Sequence, residues 1–356
     1  MGSTPENVPR PPGSPVPEAL CGALCRMGLL AQGDYAGGQP LSGGVSSDIW
    51  RIDLPAGPVC IKRALAKLKV AAEWHAPVER NTFEVAWIRC AASISPDSVP
   101  EVVGEDRHGR AFAMTYLEPA RFPVWKDRLR DGVVSRGFAA QVGAVLGRIH
   151  AATADRADIA AQFPTDASFY DIRLEPYLVE AARKHPDRAA ALESLVDTTA
   201  NERRVLVHGD VSPKNILVGP KGPVFLDAEC AWFGDPAFDL AFCLNHLLLK
   251  GLWVPRARNA LRDAFDALRN AYLGAVTWEP VDALEARTAR LLPGLMLARV
   301  DGKSPVEYLN SETQRDLVRT VTRRLLDRPV DRLAGVRDTW AEALARISHQ
   351  DTRNEI

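Results

Sequence analysis

The stretch VLVHGDVSPKNILV, residues 205–218, limits this chain's folding more than any other. Two apolar runs, Val205–Val207 and Ile216–Val218, read as short buried strands. The loop between them holds a carboxylate, Asp210, a proline and an amide, Asn215. Twelve residues after Asn215, the run VFLDAE reads as another strand that ends on a carboxylate, Asp227. Three oxygen-bearing side chains thus come from adjacent loop and strand ends. Hard Asp and Asn oxygens suit Mg²⁺, which keeps waters and phosphate oxygens as its other ligands. An acid free of metal can accept a proton from a hydroxyl. Phosphoryl transfer needs that division of labour.

The rest of the chain frames this motif. At 356 residues it exceeds what one core usually holds, so two lobes are expected. A net charge of −1 gives no global field for nucleic acid or an anionic membrane, and neither partner is expected. No apolar run approaches a bilayer span and no signal-peptide pattern opens the chain, so the expected location is cytoplasmic. The six cysteines form no CxxC pair and read as small apolar fillers rather than a zinc site.

Residues 1–17 carry six prolines and few apolar groups, so a disordered tail is expected over 1–18. A helix from about Glu18 to Gln32 follows. Residues 49–63 alternate around PAGP and predict a β-hairpin. Residues 79–92 predict a helix with Phe83, Trp87 and Cys90 on one face. VPEVVGEDRHGRAFAMTYL predicts two strands around a turn. Residues 19–118 therefore read as a sheet-rich unit with one main helix. Residues 119–356 read as a second, mostly helical unit that encloses the strand–loop–strand motif, with two helices expected over 171–200.

HGDVSPKN followed by FLDAE resembles the aminoglycoside phosphotransferase and choline kinase superfamily, small-molecule relatives of the protein kinases. The resemblance implies an α+β, bilobal protein-kinase-like fold, with a small β-rich N-terminal nucleotide-binding lobe and a larger, mainly helical catalytic lobe. It implies Asp210 as catalytic base, Asn215 and Asp227 as Mg²⁺ ligands, and ATP or GTP as phosphoryl donor. Gly209 stands where protein kinases carry Arg, and Asp227-Ala228-Glu229 replaces D-F-G. Both departures point to the small-molecule branch.

The N-terminal half offers fainter nucleotide signals. In LSGGVSSDIWRI, Gly43 and Gly44 would let backbone amides approach phosphate, and Ser46 and Ser47 add hydroxyls. Lys62, on the strand VCIKR, could reach phosphate oxygens, although a lone strand lysine is more often solvated. Glu84, on the next helix, would hold its ammonium, with Glu79 as a nearby competitor. The backbone of Thr115 and Leu117, in AFAMTYLEP, could meet an adenine edge.

Other residues of the motif region read as scaffold. His208 is expected as a packed, hydrogen-bonded group, Asp239 as an anchor of the catalytic loop, and Asp235, before Pro236, as a helix N-cap. Glu229 could support the metal aspartate. Lys214 could touch phosphate, though an exposed loop lysine is the plainer reading.

The resemblance implies a small-molecule hydroxyl as acceptor. Segments 151–200 and 245–356 together hold 24 acids and 23 bases, which weighs against a polycation and leaves room for a neutral or anionic sugar or amino-acid derivative. Arg299, Asp301 and Lys303 crowd a Gly-Lys-Ser-Pro turn and could recognise a zwitterionic or hydroxylated substrate; a salt-bridge cluster is the competing reading. A nucleotide-binding pseudokinase is the rival function, and a protein kinase is disfavoured because DAE replaces DFG.

Overall fold

The computed structural model describes residues 15–34, 36–41, 47–65 and 80–354, with backbone alone over 347–354. The chain divides into two compact units, Met1–Arg121 and Phe122–Ile356.

In the first unit, helix α1 (Glu18–Arg26) precedes strands β1 (Gly37–Pro40), β2 (Ser47–Leu54) and β3 (Gly57–Ala64). Helix α2 (Arg80–Ile94) leads to strands β4 (Val102–Asp106) and β5 (Ala111–Thr115). The five strands form an antiparallel sheet in the order β1-β2-β3-β5-β4. The expected hairpin is β2–β3, with Ile49 opposite Lys62 and Leu54 opposite Gly57. Helix α1 is shorter than expected because Gly28 turns the chain at φ +72°, and Leu29 N–H donates to the Leu24 carbonyl.

The expected disordered tail needs correction at its described end. Pro15 bridges Gly37, and Val16 is buried with Leu20, Ala23 and Leu24 against Trp50, Ile52 and Ile61. One apolar side chain on the tail gains enough burial there to order it. Helix α2 also turns differently from the expected face. Val85, Trp87, Ile88 and Ala91 are buried, while Phe83 and Cys90 are half-buried. The helix rotates so that Glu84, also buried, faces the sheet.

The second unit contains helices α3 (Trp125–Arg130), α4 (Arg136–Thr153) and α5 (Ala189–Asn201), with a π-helical segment at Tyr170–Val179 before α5. The π segment and Pro176 within it interrupt the region where two plain helices were expected. Four short strands follow: β6 (Val205–Val207), β7 (Ile216–Gly219), β8 (Gly222–Phe225) and β9 (Trp232–Gly234). The two strands of the motif do not pair with each other. β6 pairs with β9 and β7 with β8, both antiparallel, so the motif loop spans two small sheets. The chain then enters helices α6 (Pro236–Trp253), α7 (Arg258–Leu273), α8 (Val281–Asp301), α9 (Glu312–Asp327) and α10 (Leu333–Asn354).

Helix α6 is buried from Pro236 to Leu252 and forms the unit's central element. Helices α4 and α7 approach closely because Gly143 and Gly147 lack side chains. A Cβ on Gly143 would lie 2.2 Å from the Leu268 carbonyl oxygen. Among the described residues no helix is long and apolar enough to cross a membrane. All six cysteines are free thiols.

Candidate active site

Strand β6 delivers the chain to His208, where the backbone is seized from below. The Asp239 carboxylate, fully buried near the start of α6, accepts from His208 N–H at 2.7 Å and Gly209 N–H at 2.8 Å. Its Oδ2 also lies 3.3 Å from His150 Nε2, whose other nitrogen is 2.7 Å from the Tyr272 hydroxyl. Asp239 thus anchors the loop, and His150 supports it from α4. Asp235 caps α6 by accepting from Ala237 N–H at 3.0 Å, and Arg287 pairs with it at 2.9 Å.

Gly209 adopts φ +79°, and a Cβ there would lie 2.4 Å from the Cys230 carbonyl oxygen. Only glycine fits both constraints. His208 is fully buried: burial lowers its pKa despite the nearby Asp239 and Asp210 carboxylates, so the ring is neutral. Its Nδ1 accepts from Asp210 N–H at 3.2 Å, and its Nε2 donates to the Leu226 carbonyl at 3.1 Å. The ring is scaffold, tying the loop to the strand that carries Asp227.

Asp210 is buried and doubly held. Arg173 Nη2 lies 3.1 Å from its Oδ2, and Lys214 Nζ lies 3.2 Å from the same oxygen. Arg173 comes from the π-helical segment and also donates through Nε to the Gly209 carbonyl at 2.5 Å. Its guanidinium stands over the rings of Tyr177 and Phe242, each 5.9 Å away. Lys214 is half-exposed, and the Asp210 carboxylate raises its pKa, with Asp227 adding to the effect.

Asn215 donates from Nδ2 to the Asp210 carbonyl at 3.1 Å, and its own carbonyl accepts from Leu226 N–H at 2.9 Å. The amide nitrogen is spent on the loop, so Oδ1 is the arm that could meet a cation. Asp227 follows directly, half-buried, at φ +67°. That left-handed conformation costs on the order of 1 kcal/mol in a non-glycine residue and persists only where the surroundings enforce it. The donor set is hard oxygen, as Mg²⁺ requires. Among the described residues no group of three or more His, Cys, Asp or Glu side chains could hold a metal, so an ion here would lean on the Asn215 amide and the Asp227 carboxylate. Glu229, half-buried, lies two residues on.

In the first unit, Lys62 and Glu84 meet as the sequence suggests. Nζ lies 2.8 Å from Oε2 and 3.0 Å from Oε1, with both side chains withdrawn from water. Ser47 opens β2 and is buried. Gly43, Gly44, Ser46 and Glu79 lie outside the described residues. Thr115 N–H donates to the Glu101 carbonyl at 2.9 Å, so this donor is already committed; Leu117, two residues beyond, is half-buried.

The structure does not gather Arg299, Asp301 and Lys303 as a set. Arg299 bonds the Tyr177 hydroxyl at 3.0 Å and Ser304 Oγ at 3.2 Å. Asp301 pairs with Arg319 and with His185, each at 2.8 Å. Lys303 pairs with Glu175 at 2.8 Å. Sequence reasoning missed Arg173 and His150. No local pattern marks either, because their partners lie 36 and 89 positions away.

Residues 37–284 match the model of the phosphotransferase enzyme family. The chain is 24% identical over 227 residues to methylthioribose kinase 1 of Oryza sativa subsp. japonica, covering 54% of this chain and 51% of that protein. It is 26% identical over 222 residues to methylthioribose kinase of Geobacillus kaustophilus, covering 54% and 55%. The alignments thus span about half the length of these curated relatives. Among solved structures, choline kinase from Cryptosporidium parvum Iowa II aligns with TM-score 0.52 at 14% identity, over 87% of this chain and 96% of that one. Amicoumacin kinase, in complex with AMP-PNP, Ca²⁺ and Ami, aligns with TM-score 0.50 at 14% identity, over 83% and 90%. The likeness shows a protein-kinase-like α+β fold, as the sequence motifs imply.

Proposed function

The chain belongs to the phosphotransferase enzyme family, and on that premise we propose that it is an ATP-dependent kinase that moves a γ-phosphoryl group to a hydroxyl of a small molecule. The observation that carries this reading is the way Asp210, Asn215 and Leu226-Asp227 are tied by two hydrogen bonds into one rigid acid–amide–acid assembly.

Asp210 is the base. Arg173 and Lys214 occupy its Oδ2, which leaves Oδ1 to accept the proton of the attacking hydroxyl. In a loose transition state, positioning of the nucleophile does most of the work. A Mg²⁺ ion held by Asn215 Oδ1 and Asp227 would neutralise charge on the donor phosphates. In the first unit, Lys62, steadied by Glu84, would serve the donor nucleotide's phosphates, and Gly43, Gly44, Ser46 and Ser47 are further candidate phosphate contacts. The relatives' names make a sugar hydroxyl the first acceptor to test.

The test is transfer of labelled γ-phosphate, from ATP and from GTP, to a panel of methylthioribose, other sugars, choline, aminoglycosides and hydroxy amino acids. Mg²⁺-dependent transfer to one class, reduced about 10²–10⁴-fold in Asp210→Asn, is expected. Neither transfer nor Mg²⁺-dependent ATP hydrolysis would favour a nucleotide-binding pseudokinase instead.

A further inference from the structure

Helix α6 carries a lysine, Lys250, that is buried to 1% exposure. Among the described residues its Nζ makes no hydrogen bond and no ion pair. It lies instead 4.6 Å from the centroid of the Trp253 ring and 4.4 Å from that of Tyr308, two rings stacked 4.7 Å apart. A cation withdrawn from water without a counter-charge is costly, and apolar side chains would fill the space more cheaply.

The surroundings add cations rather than cancel this one. One turn earlier on α6, His246 is buried with Nδ1 3.4 Å from the Tyr308 hydroxyl. Arg299 comes in from α8 and is also nine-tenths buried; its Nε has no hydrogen-bond partner. Burial, then the neighbouring Arg299, Lys250, Lys214 and Lys126, lower the His246 pKa well below its usual value, so its ring is neutral and offers a hydrogen bond rather than a charge. Two carboxylates face Lys250, and both are engaged elsewhere. Glu307 pairs with Lys126, and Asp127 on α3 pairs with Arg130 at 3.0 Å.

This buried cluster connects to the loop of Asp210 by contact. Arg173, which holds Asp210, stands over Tyr177 and Phe242; Tyr177 bonds Arg299, and Phe242 packs against His246. Asp239, Phe242, His246 and Lys250 recur every three or four residues and share one face of α6. From Asp239 to His246 is about 10 Å of helix and to Lys250 about 16 Å, and a lysine side chain reaches back toward the helix N-terminus.

Building on the kinase reading above, we infer that Lys250 and Arg299, with the neutral His246 as a hydrogen-bonding partner beneath Tyr308, form an anion-recognising subsite, and that the acceptor is a hydroxy compound bearing a carboxylate or phosphate monoester. The acceptor's anion supplies the counter-charge that the fold withholds.

Calorimetry on the full chain tests this without turnover, with glucose, gluconate and glucose 6-phosphate as probes. At pH 8 the two anions should bind at least about tenfold more tightly than glucose, and binding should take up protons, measured as a dependence of heat on buffer ionisation enthalpy. Lys250→Met should lose both the preference and the proton uptake. Lys250→Arg, which stays charged, should keep the preference and lose the uptake. Equal binding of glucose and the anions, no binding of either anion at millimolar concentration, or proton uptake that survives in Lys250→Met overturns the inference. Absence of phosphoryl transfer alongside anion-selective binding would instead sink the kinase reading and leave the subsite standing.

Discussion

Arg173 Nη2 lies 3.1 Å from Asp210 Oδ2, while its Nε donates to the carbonyl of Gly209, so one guanidinium fixes both the backbone and the side chain of the Gly209–Asp210 loop. The planar fork allows this double hold; an ammonium could satisfy one contact at a time. Arg173→Lys should therefore lower kcat by about 10–10²-fold with little change in KM for ATP, since small misplacement of a catalytic group is expensive. Steady-state kinetics checks it, and activity within twofold of wild type would remove Arg173 from the positioning machinery.

Lys62 and Glu84 form a buried pair whose single loss strands a charge. Lys62→Met or Glu84→Leu should each destabilise by about 3–5 kcal/mol, whereas the apolar double variant Lys62→Met/Glu84→Leu should recover much of that. Denaturant melts of all four proteins close the cycle. Additive losses in the double variant would mean the pair is not an isolated electrostatic unit. Both single variants should also raise KM for ATP.

Gly209 is required by two separate constraints, a left-handed φ and a Cβ position 2.4 Å from the Cys230 carbonyl. Gly209→Ala should cost at least about 1–2 kcal/mol from the backbone conformation, plus the clash. Because Asp210 is the next residue, activity should fall further than the loss of folded protein explains. Thermal melts paired with kcat per folded molecule separate the two effects.

Lys250 supplies a pH signature. Burial, then the neighbouring Lys126, lowers its pKa from the ordinary 10.5 to about 7. Below about 7 folded and unfolded chains both hold the proton, and the group contributes no slope. Between about 7 and 10.5 the unfolded chain binds a proton that the fold has shed, so this residue makes stability rise with pH. Lys250→Met should be more stable at neutral pH and lack that rise. Chemical denaturation from pH 6.5 to 9.5 measures the difference, and parallel curves would place the ammonium in a better-solvated site.

The compact 205–227 motif was legible because its parts are close in sequence. Asp210, Asn215 and Asp227 lie within one strand–loop–strand–turn, and short-range geometry brings them together. The β2–β3 hairpin was legible for the same reason. Arg299, Asp301 and Lys303 misled because nearness along the chain is not nearness in space. Residues two apart on a helix point to different sides, and Arg299 turns to Tyr177 while Asp301 turns to Arg319. Val16 escaped because a proline-rich tail offers no periodicity; only the packed sheet shows where its side chain goes.

Residue order alone set the chemistry on offer: an acid, an amide and a second acid at fixed spacing, a lysine on a strand, a glycine where the backbone must turn left-handed. Folding in three dimensions chose how those groups are held. It brought Arg173 onto Asp210, His150 under Asp239, and Lys250 against two stacked rings with no carboxylate to pair with. Such contacts close long loops whose entropy cost depends only weakly on length, so many distant partners were about equally affordable to the chain, and the packing of the whole core selected among them.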